Sequence, residues 1–168
     1  MDRSDWGEPR SRTLTWHDPM AAAAAGATMS GLDYLRAVAA GELPPAPISS
    51  HFAMTVVSVD PGEVVFECLP DESAYNPIGL VHGGLVCTLL DSVTGCAVHT
   101  TLPAGTAYTS IELKVSYLRP VRADTGLLTA RGRVVKAGRK VAFAEGEVLD
   151  AAGKVLASAT TSCLVMPG

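Results

Sequence analysis

Apolar and polar positions divide the chain into three segments. Residues 1–28 are polar and then alanine-rich with no sustained period, which predicts a loosely ordered N-terminal arm. Residues 29–47 predict a short helix, with Ser30 as its N-cap and Asp33 three residues later, followed by a proline-rich linker. Residues 48–168 carry the remaining pattern and predict one folded domain without internal repeats.

Strand-like runs fill most of this domain. Phe52–Val59 and Glu63–Leu69 are rich in β-branched and apolar residues and flank a turn at Asp60-Pro61-Gly62, which predicts a hairpin. Four further strands are predicted at roughly residues 107–119, 124–136, 140–150 and 153–166. In the first of these four strands, residues 107–119, apolar and polar residues alternate strictly through positions 109–117. This alternation predicts that Thr109 and Ser110 lie on opposite faces of the sheet.

One long apolar segment separates the hairpin from those four strands. It runs from Leu85 to about His99 and is apolar nearly all round, which predicts a helix buried in the interior. A single apolar helix and one antiparallel sheet can bury their apolar surfaces against each other when the sheet wraps around the helix. The predicted fold class is therefore α+β, with an antiparallel sheet around one long central helix.

Composition argues against several classes of protein. The formal net charge is −4, which does not suit a general surface for nucleic acid or for an anionic membrane. No stretch approaches the roughly 20 apolar residues of a membrane span, and the N-terminus shows no secretory signal pattern. The four cysteines form no CxxC pair and have no zinc-ligand spacing, so we expect reduced thiols, no metal site and a cytoplasmic location.

A single acid, Asp91, interrupts the apolar helix. A carboxylate is rarely buried without partners, because an unpaired buried charge costs free energy. Two interpretations are open. Asp91 is either a structural acceptor for neighbouring N–H and hydroxyl groups, or a general base or nucleophile that faces a cleft.

The sequence His82-Gly83-Gly84 stands where this helix begins. A first helical turn has free N–H groups and a positive dipole end, and glycines let a substrate approach the backbone. These features suit an oxyanion hole, although two glycines also suit a tight turn with no chemical role. Asp91 lies eight residues beyond Gly83, roughly 12 Å along a helix. If both groups act on one carbonyl, they must come from two chains related by a two-fold axis.

Together these motifs resemble the hotdog-fold acyl-CoA thioesterases, in particular the branch associated with phenylacetate degradation. The resemblance covers roughly residues 30–166 and rests on Asn76-Pro77-x-Gly79-x-x-His82-Gly83-Gly84, Asp91, Ile111-Glu112-Leu113-Lys114-Val115-x-Tyr117-Leu118-Arg119-Pro120 and Gly138-Arg139-Lys140. It implies a hotdog domain that hydrolyses an acyl-CoA thioester to the free acid and CoA. It also implies a homodimer, or a tetramer of two dimers, and no cofactor, since CoA is part of the substrate.

The resemblance further implies how water would be activated. Asp91, supplied by the partner chain, would act as general base or would attack the thioester directly. Asn76 would orient the water or the substrate. Ser110, or Thr109 if the alignment shifts by one residue, would place a hydroxyl near the water.

For substrate binding, the resemblance implies that Gly83 offers its N–H to the thioester oxygen. His82 would brace the same loop, and Gly84 would contact the substrate. A basic cluster follows in an otherwise acidic chain, and it comprises Arg131, Arg133, Lys136, Arg139 and Lys140. It is either a solvated strand face or a contact for the CoA phosphates, and the resemblance places Gly138, Arg139 and Lys140 near the nucleotide.

Two other functions are compatible with the same fold. A non-catalytic module that binds or senses acyl-CoA would not need Asp91, and the chain shows no DNA-binding segment. A hotdog hydratase would need a different histidine loop and a differently placed acid. Retention of Asp91 together with His82-Gly83-Gly84 favours the thioesterase.

Overall fold

The computed structural model describes residues 3–167, which contain six strands in one antiparallel sheet. The strands are β1 Met54–Asp60, β2 Glu63–Cys68, β3 Thr106–Tyr117, β4 Leu128–Lys136, β5 Val141–Leu149 and β6 Val155–Pro167. Their order across the sheet is β1-β2-β4-β5-β6-β3. All six predicted strands are present, and β4 begins later than expected because a 3-10 turn, Ala123–Thr125, occupies its predicted start.

Four α-helices accompany the sheet: α1 Pro19–Gly26, α2 Gly31–Ala39, α3 Pro47–Phe52 and α4 Gly83–His99. Helix α2 begins as predicted, since the Ser30 hydroxyl accepts the Asp33 N–H. Helix α1 lies inside the segment predicted as a loosely ordered arm. Helix α3 replaces the end of the predicted linker and the start of the predicted first strand, and it begins at Pro47, where a missing N–H costs nothing. In the described part of the chain, no helix combines the length and apolar composition that crossing a membrane requires.

Helix α4 packs across the sheet and forms the centre of the core. The fully buried side chains include Leu85, Leu89, Leu90 and Val93 from α4, with Val64, Leu128 and Val148 from the sheet. Two glycines that face each other on adjacent strands, Gly132 and Gly146, let the helix lie close to the sheet. A Cβ atom at Gly132 would stand 2.2 Å from the carbonyl oxygen of Val93, so the α4 backbone occupies the space of a side chain. The predicted sheet wrapped around one central helix is confirmed.

A β-bulge in β3 changes which side chains face the helix. The register between β3 and β6 shifts between Ser110 and Glu112, with Ile111 as the extra residue. Before the bulge the less exposed side chains are at even positions, such as Ser110; after it they are at odd positions, such as Leu113 and Val115. The strict alternation predicted for this strand is therefore wrong, and Ser110 shares the helix-facing side with the apolar residues that follow.

The N-terminal arm lies against the body of the protein. Arg12 donates to Asp71 and Ser73, each at 3.0 Å, in the segment before α4. Arg10 forms an ion pair with Glu72 nearby. These contacts are exposed to solvent, so they contribute little to the stability of the fold.

Candidate active site

The loop that leads into α4 is closed by its own hydrogen bonds. The Oδ1 atom of Asn76 accepts the N–H groups of Ile78 and Leu80, at 3.1 and 3.0 Å. The His82 N–H donates to the carbonyl oxygen of Ala74 at 2.8 Å. The carbonyl end of the Asn76 side chain is thus committed to the loop, and only its NH₂ group is left for a substrate or a water molecule.

His82 caps the helix with its side chain. Its Nδ1 atom accepts the N–H of Gly84 at 2.8 Å, and its carbonyl oxygen accepts the N–H of Leu85 at 3.0 Å. Because Nδ1 accepts, the proton of the neutral ring lies on Nε2, which is left to donate. The N–H of Gly83 has no acceptor among residues 3–167, so this first helical turn offers one free donor at the positive end of the helix dipole.

Tyr117, the last residue of β3, reaches the same helix start. Its hydroxyl donates to the carbonyl oxygen of Gly83 at 3.0 Å. Its ring lies over the glycine, and a Cβ atom at Gly83 would stand 3.1 Å from the ring carbon that bears the hydroxyl. Sequence reasoning missed this tyrosine, which it names only as part of the family motif. Its signal was weak, an exposed aromatic residue at the end of a strand.

Asp91 is held by a hydroxyl from the neighbouring strand. The Ser110 Oγ atom donates to Asp91 Oδ1 at 2.8 Å. The bulge at Ile111 makes this contact possible, because it keeps Ser110 on the helix-facing side of the strand. Thr109 is exposed and makes no contact with Asp91, so the structure brings Ser110, of the two hydroxyls considered, to the acid.

Asp91 is exposed within the single chain, so the helix predicted to be buried in the interior is buried on all but one side. The side of α4 that carries Asp91 is its least covered side. The neighbours on that side are only half-buried, and they are Gly84, Cys87, Thr88 and Ser92. The physical reason is that this side of α4 faces the edge strand β3, which it contacts through Ser110 and Tyr117, and in the described chain the sheet ends there. The acid is thus available to solvent or to a second molecule.

The structure therefore separates the predicted site residues into two groups. His82, Gly83 and Tyr117 meet at the start of α4, whereas Asp91 and Ser110 meet roughly 12 Å further along the helix. No single carbonyl group can contact both groups within one chain.

A cavity of about 380 Å³ opens beside Asp91 and Ser110 and follows two turns of α4 as far as His99. Its apolar walls come from the segment α2–α3 and from the first hairpin, and they are Leu35, Val38, Pro45, Ile48, Val56 and Phe66. Its volume lies in the usual range for small-molecule sites. A larger groove of about 620 Å³ lies on the opposite face of the sheet, among the side chains of Arg131, Arg133 and Glu145, away from both groups of site residues.

Burial shifts three ionisable groups of this cavity, those of Cys96, His99 and Tyr108, toward their neutral forms. Burial raises the pKa of the Cys96 thiol to about 12 and raises the pKa of Tyr108 well above its ordinary value. Burial also lowers the pKa of His99. The ring of His99 contacts the rings of Tyr34 and Tyr108, with centroid distances of 5.6 and 5.3 Å. Within the described residues, no group of three or more His, Cys, Asp or Glu side chains could hold a metal ion.

The basic cluster divides between two places. Arg131 and Arg133 flank Gly132, which faces α4, so their side chains project from the outer face of the sheet, where Arg133 forms an ion pair with Glu145. Arg139 and Lys140 are exposed in the turn between β4 and β5. Arg131 and Arg133 therefore belong to a solvated strand face. Arg139 and Lys140 form a basic turn that has no ion pair within the described chain.

That basic turn lies at the same end of the sheet as the acid. Val141 stands opposite Leu164, and Leu164 stands opposite Thr109, the neighbour of Ser110. Gly138 is needed for the turn, because a Cβ atom there would lie 2.0 Å from the carbonyl oxygen of Val141.

Comparison with known proteins agrees with this architecture. The family model of the thioesterase superfamily matches residues 78–157. Acyl-coenzyme A thioesterase 13 of Homo sapiens is 31% identical over 105 residues, which cover 62% of this chain and 74% of that protein. A Ralstonia eutropha thioesterase described as phenylacetic acid degradation-related is 32% identical with a TM-score of 0.71, and the match covers 78% of this chain and 98% of that one.

A second similar structure, a Streptococcus mutans protein solved bound to acetyl CoA, is 25% identical with a TM-score of 0.62, and the match covers 68% of this chain and 89% of that one. The resemblance to the phenylacetate-degradation branch is thus confirmed. So is the hotdog fold, with its six-stranded antiparallel sheet and one long helix. The chain belongs to the thioesterase superfamily and is a thioester hydrolase.

Proposed function

We propose that this thioester hydrolase acts on acyl-CoA, at a site that two copies of the chain build together. The observation that carries the proposal is the separation within one chain of the free Gly83 N–H from the Asp91–Ser110 pair. The substrate class is supported by the similar human acyl-coenzyme A thioesterase and by the similar structure that holds acetyl CoA.

Symmetric pairing of two β3 strands would bring the separated groups together. β3 is an edge strand, and exposed strand edges readily pair with another chain. Along β3, Ser110 lies beside Asp91 of α4, and Tyr117 lies beside Gly83. A two-fold axis near Leu113 would set Ser110 opposite Tyr117 of the partner subunit. In that register each Asp91 lies at the level of the partner's Gly83, and the two sheets become continuous.

The uncovered side of α4 supports the same arrangement. Its small side chains would let a second helix approach closely, and the Thr88 and Ser92 hydroxyls already donate to carbonyl oxygens of their own helix. A second copy would therefore bury this side without leaving hydroxyl donors unsatisfied. A tetramer of two such dimers stays an expectation from the family resemblance.

In the proposed reaction, the thioester oxygen accepts the Gly83 N–H of one chain. Water attacks the carbonyl carbon while Asp91 of the partner subunit takes its proton, and the carbonyl electron pair moves onto the oxygen facing Gly83. Collapse of this tetrahedral intermediate breaks the carbon–sulfur bond, and the CoA thiolate receives the proton from Asp91. One oxyanion donor is worth about 3–4 kcal/mol and a positioned base roughly 10²–10⁴ in rate.

The side chains around the acid fit this role. Ser110 occupies Oδ1 of Asp91, which leaves Oδ2 for water. The free NH₂ group of Asn76 can donate to the water or to the substrate, and Nε2 of His82 can donate to the thioester. Direct attack by Asp91, with an anhydride intermediate that water then hydrolyses, is the alternative route. We propose that neither route uses a cofactor or a metal.

The two ends of the substrate have separate places in this proposal. The acyl group would enter the 380 Å³ cavity beside Asp91, and the phosphates of CoA would meet Arg139 and Lys140 at the same end of the sheet. One chain would thus supply the acid, the acyl cavity and the basic turn, while the other supplies the Gly83 donor. We place the enzyme in the cytoplasm, as expected from its four free cysteines.

The proposal is tested by thiol release from a panel of acyl-CoAs, with the unmodified enzyme beside Asp91→Asn and Asp91→Ala. We expect both variants to stay folded and to lose about 100-fold or more in kcat. If the unmodified enzyme binds acyl-CoA but releases no thiol, the chain is a binding or sensing module and Asp91 is structural.

A matched pair of hydroxyl variants sharpens this test. Ser110→Ala removes a hydrogen bond to a carboxylate, which is worth about 1.5–3 kcal/mol, so kcat should fall about 10-fold or more. Thr109→Ala removes a hydroxyl one residue away that does not touch Asp91, and it should change kcat less than about twofold. Equal effects of the two variants would contradict the placement of Ser110.

A further inference from the structure

Both peptide units that flank Gly83 are fixed by hydrogen bonds. The unit between His82 and Gly83 is held because its carbonyl oxygen accepts the Leu85 N–H at 3.0 Å. The unit between Gly83 and Gly84 is held at both ends, by the Tyr117 hydroxyl on its carbonyl oxygen and by His82 Nδ1 on its N–H. These contacts determine the direction in which the Gly83 N–H points.

Two successive glycines make such restraint necessary. Glycine has more backbone freedom than any other residue, so a Gly-Gly pair at a helix start is easily deformed. A donor stabilises a transition state only if it is already aimed at the developing charge. Of the side chains that hold the second peptide unit, His82 comes from the loop itself, whereas Tyr117 comes from the sheet and so ties the helix start to a rigid element.

We propose that Tyr117 is a positioning residue for thioester hydrolysis, acting through the Gly83 carbonyl to aim the Gly83 N–H at the thioester oxygen. This inference rests on the function proposed above. The ring supports the same role, because it packs so closely on Gly83 that a Cβ atom there would contact it at 3.1 Å. The Tyr117 ring therefore packs in the space that a side chain at position 83 would occupy, and it restricts the backbone conformation of Gly83.

The first measurement compares Tyr117→Phe with Tyr75→Phe in thiol release. Tyr75 lies on the same loop, and its hydroxyl makes no hydrogen bond within the described residues, so it is a matched control. Loss of one neutral hydrogen bond corresponds to about a three- to tenfold fall in kcat for Tyr117→Phe, with KM changed less than about twofold. Tyr75→Phe should match the unmodified enzyme.

A double-mutant cycle separates positioning from general stability. His82→Ala removes the other hydrogen bond to the same peptide unit, so the effect of Tyr117→Phe on kcat should shrink in that background. If the fold-losses in kcat of the two single variants simply multiply in the double variant, the two hydrogen bonds do not act through the same peptide unit. Backbone amide exchange gives a second readout, and Tyr117→Phe should speed exchange of the Gly84 N–H about three- to tenfold, whereas Tyr75→Phe should not.

The outcomes distinguish this inference from the function on which it rests. An unmodified enzyme that releases no thiol from any acyl-CoA overturns the proposed function. An active enzyme in which Tyr117→Phe keeps full kcat, or leaves the Gly84 amide unchanged, overturns only the role of Tyr117.

Discussion

Replacement of Gly83 by proline would remove one hydrogen-bond donor, and it would add a Cβ atom that crowds Tyr117 as alanine would. Gly83 is the first residue of α4, a position where proline is favoured because its N–H has no partner in the helix. The preceding residue, His82, has φ −62° and ψ 136°, which is the extended conformation that a residue before proline adopts. The substitution therefore suits the backbone and deletes the N–H proposed to hold the thioester oxygen.

The expected loss follows from the value of one such donor. Removal of a single oxyanion donor costs about 2.7–4 kcal/mol, or roughly 10²–10³ in kcat. Gly83→Ala is the matched control, because it keeps the N–H while it crowds Tyr117 at 3.1 Å. Crowding alone should cost about tenfold or less. The assay is thiol release at saturating acyl-CoA with both variants folded, and equal kcat for Gly83→Pro and Gly83→Ala would refute the Gly83 N–H as the donor.

Three further predictions concern packing, substrate binding and pH. Gly132→Ala should lower the free energy of unfolding by about 2–3 kcal/mol or more, measured as a fall in Tm, because its Cβ would meet the α4 backbone at 2.2 Å. Joint replacement of Arg139 and Lys140 by alanine should raise KM for acyl-CoA about three- to tenfold and weaken the salt dependence of KM. Burial lowers the pKa of His99 in the folded protein. As the pH falls, His99 is therefore protonated in the unfolded chain before it is protonated in the folded one, and Tm should fall as pH drops below about 6.5.

Matched variants accompany these measurements. Arg133→Ala removes a basic side chain from the outer face and should leave KM unchanged. His99→Gln should flatten the fall of Tm with acid, whereas His17→Gln, at an exposed position, should not. A Gly132→Ala variant with an unchanged Tm would contradict the close approach of α4 to the sheet.

The fold was predictable from sequence because its main signals are periodic. The apolar run of α4 and the six strands follow from residue pattern alone, and the Ser30 cap follows from residue type. The bulge at Ile111 was not predictable, because the residue types alternate through positions 109–117 without a break at the extra residue. Its consequence is chemical, since it turns Ser110 rather than Thr109 toward the acid.

The site itself was only partly predictable. A charge in an apolar helix singles out Asp91 as a candidate, but its exposure depends on where the sheet ends, which is a property of strand order. The hydrogen bond from Tyr117 to Gly83 joins residues 34 positions apart and depends on the register of β3 against α4. Neither fact is encoded in a local pattern.

The central claim is that each site takes Gly83 from one chain and Asp91 from another. Subunit exchange between Gly83→Pro and Asp91→Ala tests it directly, because a mixed dimer would have one intact site only if the two groups act across the interface. With random exchange at equal amounts, we predict recovery of about a quarter of the unmodified activity. Failure of the mixture to exceed the two parent variants, once mixed dimers are shown to form, would contradict a site shared between two chains.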